Sequence, residues 1–429
     1  MTGVVALLER NCNYRRTWIG QVVSEVGDYF NNVAVLALVM EKSGSALVVS
    51  GVLLSRAIPA VAAAPVAGLL LDRFDRRTIM LASDLVRAVV AAGFLFAIHR
   101  PRPWLLYVLS AALMFASPFF TSGRSAILPS IASPIELHAA NSLTQITSWA
   151  TASVGALAGG YGAAKLGYAW AFVANALSFL VSAACVWGVR APGGFRAPRS
   201  PSAAHMTSWQ EYREGLAYIR SVPLMLGIAV ISFGWALGGG AAQVLFALFG
   251  ETVFHRGAAG IGSIWGFAGI GLLLGGAVAY LAGRRIGFAG YKRLVTLSYV
   301  THGVTYMLFS QTGSYPAALL WMMLSRAGMA AASVMNTAQL LRHTPDRLRG
   351  RVFSTMESVR WSVMIVSMAV AGIASQRYGP RAIGLVAGAF GVLTGLGWAW
   401  CDRGGRIREP SEEGCANPEA DGSPVQPLA

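Results

Sequence analysis

Twelve apolar stretches, each long enough for a membrane-spanning helix, run through this 429-residue chain. A helix needs about 20 residues to cross roughly 30 Å of hydrocarbon. The stretches are continuously apolar, whereas the strands of a membrane barrel alternate apolar and polar residues. Only helices and closed barrels satisfy all their backbone hydrogen bonds in lipid. The sequence therefore predicts an all-α integral membrane protein with twelve spans: 17–40, 45–71, 78–98, 104–123, 141–163, 168–189, 223–249, 259–282, 293–310, 315–341, 352–375 and 381–401.

The composition excludes several classes of protein. Hydrophobic residues make up 55% of the chain and charged residues only 12%, about half the charged fraction of a typical soluble domain. A soluble enzyme, a disordered protein and a disulfide scaffold are therefore excluded. The net charge of +15 does not indicate a nucleic-acid partner, because the basic residues lie in short clusters between apolar spans.

The distribution of these basic residues predicts the orientation. With the N-terminus inside, and with Arg293 and Arg381 at the first positions of their spans counted with the adjoining loops, 23 Lys and Arg fall in inner segments, 7 in outer segments and 4 within spans. Inner loops of membrane proteins carry the excess of positive charge. We therefore expect a multi-pass protein of the bacterial cell membrane, the inner or cytoplasmic one, with both termini in the cytoplasm.

Two six-span halves flank a polar linker. Residues 1–189 form the predicted N-terminal half and 223–402 the C-terminal half, with a linker at 190–222 and a disordered cytoplasmic tail at 403–429. The end of the linker has the pattern of a short amphipathic helix, which we expect to lie along the inner membrane surface. A shift of 211 residues aligns loop residues of the two halves, which indicates parallel repeats.

A loop motif carries a resemblance to a known family. The first inner loop reads GLLLDRFDRR, residues 68–77, and resembles the loop between the second and third helices of the major facilitator superfamily. The stretches at 20–30, 128–143, 211–223 and 344–354 look like the efflux branch of that superfamily, the macrolide and siderophore exporters. The resemblance covers about residues 15–400 and implies the major facilitator fold of two pseudo-symmetric six-helix halves.

The resemblance also implies a gating role for the motif. In the family, the carboxylate at the position of Asp72 attracts the N-terminus of the eleventh helix, which would start near Arg351 here. The basic residues of the loop would pair with Asp75 or with acidic groups of the other half, and these contacts would hold the inner side closed. A role in setting topology is the alternative for these arginines. The gating candidates are Gly68, Asp72, Arg73, Asp75, Arg76 and Arg77.

Charged residues at membrane depth are candidate functional groups, because burying them is costly. Asp28 of the first span lies about 16 Å from the inner edge, and Arg56 of the second span about 13 Å from that edge. We predict that Arg56 pairs with Asp28 or with Glu25. Asp28 is the first candidate for proton coupling, with Glu25 and Arg56 as further candidates; a static ion pair is the alternative.

Further intramembrane charges have interpretations of their own. Asp84 and Arg87 are three residues apart, as are Glu357 and Arg360, so each pair can neutralise itself on one helix face. We interpret both pairs as structural or gate-related. Arg326 lacks an acidic neighbour in sequence, so it pairs with Glu357 or attracts an anionic substrate.

The seventh span contains three adjacent glycines, residues 238–240. Glycine weakens a helix, so a break or bend lining the cavity is expected there. A bulky apolar substrate would suit aromatic walls, although such residues also pack or face lipid. The substrate-cavity candidates are Asn31, Asn32, Trp149, Trp235, Gln243 and Trp361.

These features predict a secondary transporter that exports an amphipathic antibiotic, siderophore or other secondary metabolite by alternating access, with protons as the coupling ion. Multidrug or macrolide resistance is the expected phenotype. No phosphate-binding GxxxxGK[ST] sequence occurs, so ATP coupling within the chain is excluded. We expect a monomer in the bilayer without cofactor, metal or enzymatic activity. The alternatives are an importer of a polar solute and a non-transporting membrane receptor.

Overall fold

The computed structural model describes residues 7–99, 102–190, 194–195 and 208–410. The predicted linker lies partly outside these residues, and so does the predicted disordered tail from residue 411 onward.

Thirteen helices of 14 residues or more form the described part of the chain, and no strand occurs within it. Long apolar runs form twelve of them, and one shorter helix lies in the linker. The helices are α1 (Cys12–Ser43), α2 (Ala46–Arg73), α3 (Arg76–His99), α4 (Pro103–Ile131), α5 (Pro134–Leu166), α6 (Tyr168–Trp187), α7 (Ser208–Ser221), α8 (Pro223–Leu248), α9 (Gly257–Gly283), α10 (Phe288–Gln311), α11 (Tyr315–His343), α12 (Asp346–Ala374) and α13 (Pro380–Arg403).

The predicted all-α fold is confirmed. Spans 1–6 correspond to α1–α6 and spans 7–12 to α8–α13. By length and composition, ten of the described helices are apolar enough to cross a membrane. The two remaining long helices, α5 and α10, carry more polar residues, and each packs against helices of the bundle. The architecture is a twelve-helix bundle. In the sequence, the shorter helix α7 follows the first six long helices and precedes the other six.

We name the two ends of the bundle by the chain itself. The end at which α1 begins and α13 ends is the terminal face, and the opposite end is the distal face. The terminal face corresponds to the side that the basic residues predict to be cytoplasmic. The main contacts between the halves join α2 to α12 and α5 to α9.

The buried apolar residues form three clusters, and the positions of these clusters show where the two halves are in contact. One cluster spans both halves and draws on the distal parts of the helices, such as Val33–Met40 of α1 and Val244–Phe249 at the end of α8. The other two lie toward the terminal face, and each of them belongs to one half alone. The halves therefore share a core on the distal side and separate on the terminal side.

Of the break or bend expected in the seventh span, the break is wrong, because α8 is continuous through its three glycines. A Cβ on Gly238 would lie 2.5 Å from the carbonyl oxygen of Ala387, and one on Gly240 would collide with α12. The backbone of α8 is fixed there by Ser367, which accepts from the N–H of Ala241 at 3.0 Å and donates to the carbonyl of Leu237. These glycines permit close helix packing, and the irregular turn lies further on, at Phe249–Val253.

The linker helix packs on the C-terminal half. Glu214 of α7 forms ion pairs with Arg351 and Arg347 at the start of α12, and Ile219 is buried in the terminal core of that half. The helix packs against α8 and α12, and its position along the inner membrane surface stays a prediction. The start of the predicted tail is ordered as well, since Ile407 joins the same core.

Candidate functional site

A network of hydrogen bonds surrounds Glu25 of α1. Arg124 of α4 forms an ion pair with its carboxylate at 3.3 Å. Gln21, Ser148 and Thr151 donate to the same carboxylate at 2.9, 3.1 and 2.7 Å. Because the carboxylate is neutralised and has four donors, Glu25 holds α1, α4 and α5 together.

Asp28 lies one turn further along α1 and belongs to a second cluster. Arg87 of α3 forms an ion pair with Asp84 of the same helix and lies 3.9 Å from the nearer carboxylate oxygen of Asp28. The guanidinium lies between the rings of Phe120 and Phe179, at 4.6 and 4.3 Å from their centroids. One arginine thus serves two carboxylates in a largely apolar surrounding.

The two carboxylates of this cluster differ in access. The Asp84 side chain is fully buried, whereas 26% of the Asp28 side chain is exposed. The Oδ1 atom of Asp28 is buried and has no hydrogen-bond partner among the described residues. The Oδ2 atom of Asp84 likewise lacks a partner, so Asp28 differs from Asp84 in its solvent access and in its longer distance to Arg87.

The predicted pairing of Arg56 is wrong. Arg56 donates to Asn31 at 3.4 Å, while Arg87 and Arg124 are the ion-pair partners of Asp28 and Glu25. The depth of Arg56 agrees with the prediction, since Asn31 lies within one turn of Asp28. The face of α1 that Arg56 contacts depends on the rotation of α1 and α2 about their axes. The spacing of residues along the chain does not show this rotation.

Sequence reasoning missed Arg124. The fourth span was predicted to end at residue 123, so Arg124 was counted as a loop residue, whereas α4 continues to Ile131. The missed signal is the apolar sequence that follows Arg124, which extends the helix beyond it.

The C-terminal half contains the second predicted pair. Arg360 donates to Glu357 at 2.5 Å, and its guanidinium lies 5.9 Å from the ring centroid of Trp235. These three side chains line a cavity of about 140 Å³ between α8, α10, α11 and α12, together with polar groups that include Ser333 and Asn336. The predicted i, i+3 pair is present, and its carboxylate is half exposed.

Arg326 has a different neighbourhood from the predicted one. Its guanidinium lies 5.1 Å from the ring centroid of Phe246 and 6.0 Å from that of Tyr306, and the residue is 8% exposed. Among the described residues it forms no ion pair, so the predicted pairing with Glu357 is wrong. Aromatic faces hold this cation instead.

The other cavity candidates are spread through the bundle. Trp149 contacts α9 of the opposite half at Gly276, and Trp361 packs against the shared distal core. Asn32 and Gln243 are partly exposed. Within the described part of the chain, no three His, Cys, Asp or Glu side chains are grouped as a metal site.

The residues of the loop motif are tied to the N-terminal half. Asp75 accepts hydrogen bonds from the backbone and hydroxyl of Thr78 at 2.8 and 3.0 Å and so caps α3. Arg76 donates to the carbonyl of Ala126 at 2.7 Å, and Arg77 donates to carbonyls at the end of α6. Neither arginine pairs with an acidic group among the described residues. The predicted pairs belong to the state in which the inner side is closed, so they stay a prediction.

The first part of the motif is exposed instead. Gly68 has open space beside it. Asp72 and Arg73 are exposed and take part in no ion pair among the described residues. In this conformation, neither side chain connects the two halves.

Comparison with known proteins identifies the family. A family profile for the Major Facilitator Superfamily matches residues 17–368, which covers eleven of the twelve long helices in whole or in part. The chain belongs to the Major Facilitator Superfamily. The family and its members indicate a transporter.

Relatives in this superfamily include proteins named as exporters. The chain is 28% identical to the uncharacterized MFS-type transporter YfiS of Bacillus subtilis over 401 residues, which cover 88% of this chain and 90% of that protein. It is 27% identical to the putative bacilysin exporter BacE of the same species, over 81% and 85% of the two chains. Macrolide efflux protein A of Streptococcus pyogenes is 31% identical over 116 residues, 26% of this chain and 28% of that protein. The predicted resemblance to efflux transporters of this superfamily is confirmed.

Solved structures show the same fold. A bacterial homologue of the iron transporter ferroportin, in an inward-facing state, matches with a TM-score of 0.66 at 18% identity, over 90% of this chain and 98% of that chain. This likeness supports the major facilitator fold of the described residues.

Proposed function

We propose that this major facilitator transporter exports an amphipathic small molecule across the bacterial cell membrane in exchange for protons. The efflux-like relatives support the export direction. The basic residues of the terminal face support a cytoplasmic location for both termini. The protein would then act as a monomer, without a cofactor, and confer resistance to its substrate.

The solvent exposure of Asp28 is the observation that supports the proposal for proton coupling. Of the two carboxylates that share Arg87, the Asp28 carboxylate is the one with solvent access. Its Oδ1 atom lacks a hydrogen-bond partner among the described residues. A carboxylate that is poorly compensated in a low-dielectric surrounding takes up a proton more readily than one that is fully paired. Asp28 is therefore the carboxyl group at which we place the exchanged proton.

The net charge of the groups around Asp28 explains how a proton could be exchanged for a substrate. Glu25, Asp28 and Asp84 carry three negative charges, and Arg56, Arg87 and Arg124 carry three positive ones, so the region is neutral when all are ionised. A proton on Asp28 leaves one positive charge in excess, which disfavours an amphipathic substrate that itself carries a positive charge nearby. A bound substrate opposes protonation in the same way, and this competition couples the two fluxes.

The motif supplies the proposed gate. The terminal cores of the two halves are separate here, and Asp72 is exposed. When the terminal side closes, the Asp72 carboxylate approaches the N-terminus of α12, where helix N–H groups carry partial positive charge. This contact belongs to the other conformation only, so it biases the equilibrium between the two.

A transport assay tests the proposal. Purified protein in proteoliposomes receives a pH gradient, and efflux of erythromycin and of the lipophilic cation ethidium is measured for wild type and Asp28→Asn. We expect gradient-driven efflux by wild type and its loss in Asp28→Asn. Glu211→Gln removes an exposed carboxylate of α7 and serves as the control.

Other outcomes separate the alternatives. Gradient-driven efflux that persists in Asp28→Asn would retain the exporter and refute Asp28 as the coupling group. Uptake of a polar solute down the proton gradient would favour an importer. Specific binding without flux under either gradient would favour a receptor. Asp28→Glu, which keeps the carboxyl group, distinguishes loss of coupling from loss of folding.

A further inference from the structure

The cavity in the C-terminal half has the chemistry of a binding site. It is formed by residues of four helices, α8, α10, α11 and α12, and has a volume of about 140 Å³. Ligand pockets for drug-sized molecules are about 300–1,000 Å³. The cavity is thus large enough for part of such a molecule, and it lies toward the terminal side, where the halves separate.

Two hydrogen-bond donors at this cavity lack acceptors. The Nε1 atom of Trp235 and the Nε atom of Arg360 are both buried and have no partner among the described residues. A buried donor without an acceptor is energetically unfavourable. Because these N–H groups belong to neighbouring side chains, they can serve one ligand that carries acceptor oxygens.

The charge balance of the cavity narrows the class of ligand. Glu357 and Arg360 neutralise each other at 2.5 Å. An anion that binds Arg360 alone would leave the carboxylate of Glu357 without a counter-charge, and a cation that binds Glu357 alone would do the same to Arg360. A ligand with an ammonium and a carboxylate keeps both residues paired.

The walls of the cavity fit the rest of such a ligand. The Trp235 ring lies beside the Arg360 guanidinium, and Met356 and Phe353 add apolar surface on α12. Ser333 and Asn336 of α11 face the same space. The site thus offers an apolar face for a side chain of the ligand, and polar groups for an amide or hydroxyl of the ligand.

We propose that this cavity binds the zwitterionic head of an amino-acid-like substrate, with the carboxylate on Trp235 and Arg360 and the ammonium on Glu357. Carboxylate bound by an N–H of guanidinium forms a strong, charge-assisted hydrogen bond. The proposal rests on the proposed transport function, for which it names the substrate class. A substrate whose head binds there would have its remainder in the space between the halves.

Equilibrium binding to the full-length protein in nanodiscs tests the proposal without requiring transport. The probes are L-phenylalanine, N-acetyl-L-phenylalanine, which lacks the ammonium, and L-phenylalaninamide, which lacks the carboxylate. We expect wild type to bind L-phenylalanine at least tenfold more tightly than either derivative.

Variants of the cavity sharpen the test. Trp235→Phe removes the indole donor and should weaken binding of L-phenylalanine several-fold, whereas Trp400→Phe, at a tryptophan that is 64% exposed on α13, should leave it unchanged. Glu357→Gln should abolish the preference for L-phenylalanine over its N-acetyl derivative. Asp346→Asn is the control for a carboxylate on the same helix.

The proposal is overturned by equal affinity for the three probes, by no binding of L-phenylalanine, or by cavity variants that behave like their controls. These results leave proton-driven efflux of ethidium untouched. Conversely, loss of that efflux with retained discrimination among the probes refutes the exporter and keeps the zwitterion site. The two proposals therefore fail separately.

Discussion

Two ion pairs with the same spacing differ in their surroundings. Asp84 and Arg87 are 0% and 2% exposed, whereas Glu357 and Arg360 are 51% and 34% exposed. Removing one member of a buried pair leaves a charge that neither water nor a partner compensates, and this costs about 3–5 kcal/mol. An exposed pair contributes about 0–1 kcal/mol.

The first prediction compares these pairs by removing the arginine of each. Arg87→Ala should lower the free energy of unfolding by about 3–5 kcal/mol, and Arg360→Ala by about 1 kcal/mol or less. Unfolding in detergent, followed by tryptophan fluorescence, measures both. Arg87→Ala combined with Asp84→Ala should recover part of the loss, because the fully buried carboxylate is then removed together with its partner and only Asp28 loses an ion pair. Equal destabilisation by the two single variants would contradict this account.

Depth was predictable for these residues, but pairing was not. Each helical residue adds about 1.5 Å along the axis, so Asp28 and Arg56 were correctly predicted to lie at similar depth. Each residue also rotates the side chain about the axis, and small errors accumulate over several turns. The partners therefore depend on how neighbouring helices pack, which brings Arg124 to Glu25 and Arg87 to Asp28.

Small residues determine how closely α5 and α9 approach. A Cβ on Gly160 would lie 2.7 Å from the carbonyl oxygen of Ala258 and 2.7 Å from the Cα of Gly262. Both atoms belong to the backbone of α9, so a local side-chain shift cannot relieve the overlap. The distal contact between the halves thus depends on the absence of a side chain at this position.

The second prediction follows from this contact. Gly160→Val should destabilise the distally closed conformation by about 1–3 kcal/mol and move the distal ends of α5 and α9 apart. Spin labels at Lys165→Cys and Arg256→Cys, on a cysteine-free background, report that distance by pulsed electron paramagnetic resonance. Gly397→Val, at a helical glycine with open space beside it, is the control. An unchanged distance distribution in Gly160→Val would refute the role of this contact.

A capping interaction at the terminal face gives a prediction that depends on pH. The backbone N–H and the hydroxyl of Ser133 donate to Glu136 at 2.8 and 2.9 Å, before the membrane-spanning part of α5. These hydrogen bonds, the backbone one foremost, lower the pKa of Glu136 below its usual value. Ionised Glu136 therefore stabilises the folded state at pH values above the usual carboxyl pKa. This stabilisation is lost as the pH falls through the lowered pKa of the folded state.

The corresponding measurement is a difference between variants. Glu136→Gln should lower the free energy of unfolding by about 0.5–1 kcal/mol at pH 7. The gap between wild type and variant should shrink as the pH falls below about 4. Glu211→Gln, at an exposed glutamate in the first turn of α7, controls for general effects of charge. A gap that stays constant from pH 7 to pH 3 would contradict the capping account.

The glycines of α8 show why helix breaks are hard to predict from sequence. Three adjacent glycines lower helix propensity, and that local tendency predicted a break. In the bundle, the close approach of α12 and α13 stabilises the helix through contacts that only glycine permits. Tertiary packing outweighs propensity here. The number and order of the long helices, which hydrophobicity predicts, agree with the structure, whereas α4 continues eight residues beyond its predicted span.

At the scale of the whole molecule, the halves share one core and keep two others separate. The shared core on the distal side excludes water there, while the terminal cores remain intact in each half. A rigid-body rotation of one half against the other can therefore open one side and close the other without breaking the terminal cores. Contacts that form in only one of the two conformations then control the equilibrium between them.

Asp72 provides the last prediction. It is exposed and forms no ion pair among the described residues when the terminal side is open, so Asp72→Asn should leave that conformation unchanged. In the closed conformation, its proposed attraction to the N-terminus of α12 contributes about 0.3–1 kcal/mol. The ratio of terminally open to terminally closed molecules should then rise about two- to fivefold. Spin labels at Phe74→Cys and Gly350→Cys, two exposed positions on the terminal side, measure these populations. Glu211→Gln removes a carboxylate from the same face as a control, and identical populations in Asp72→Asn and wild type would refute the gate.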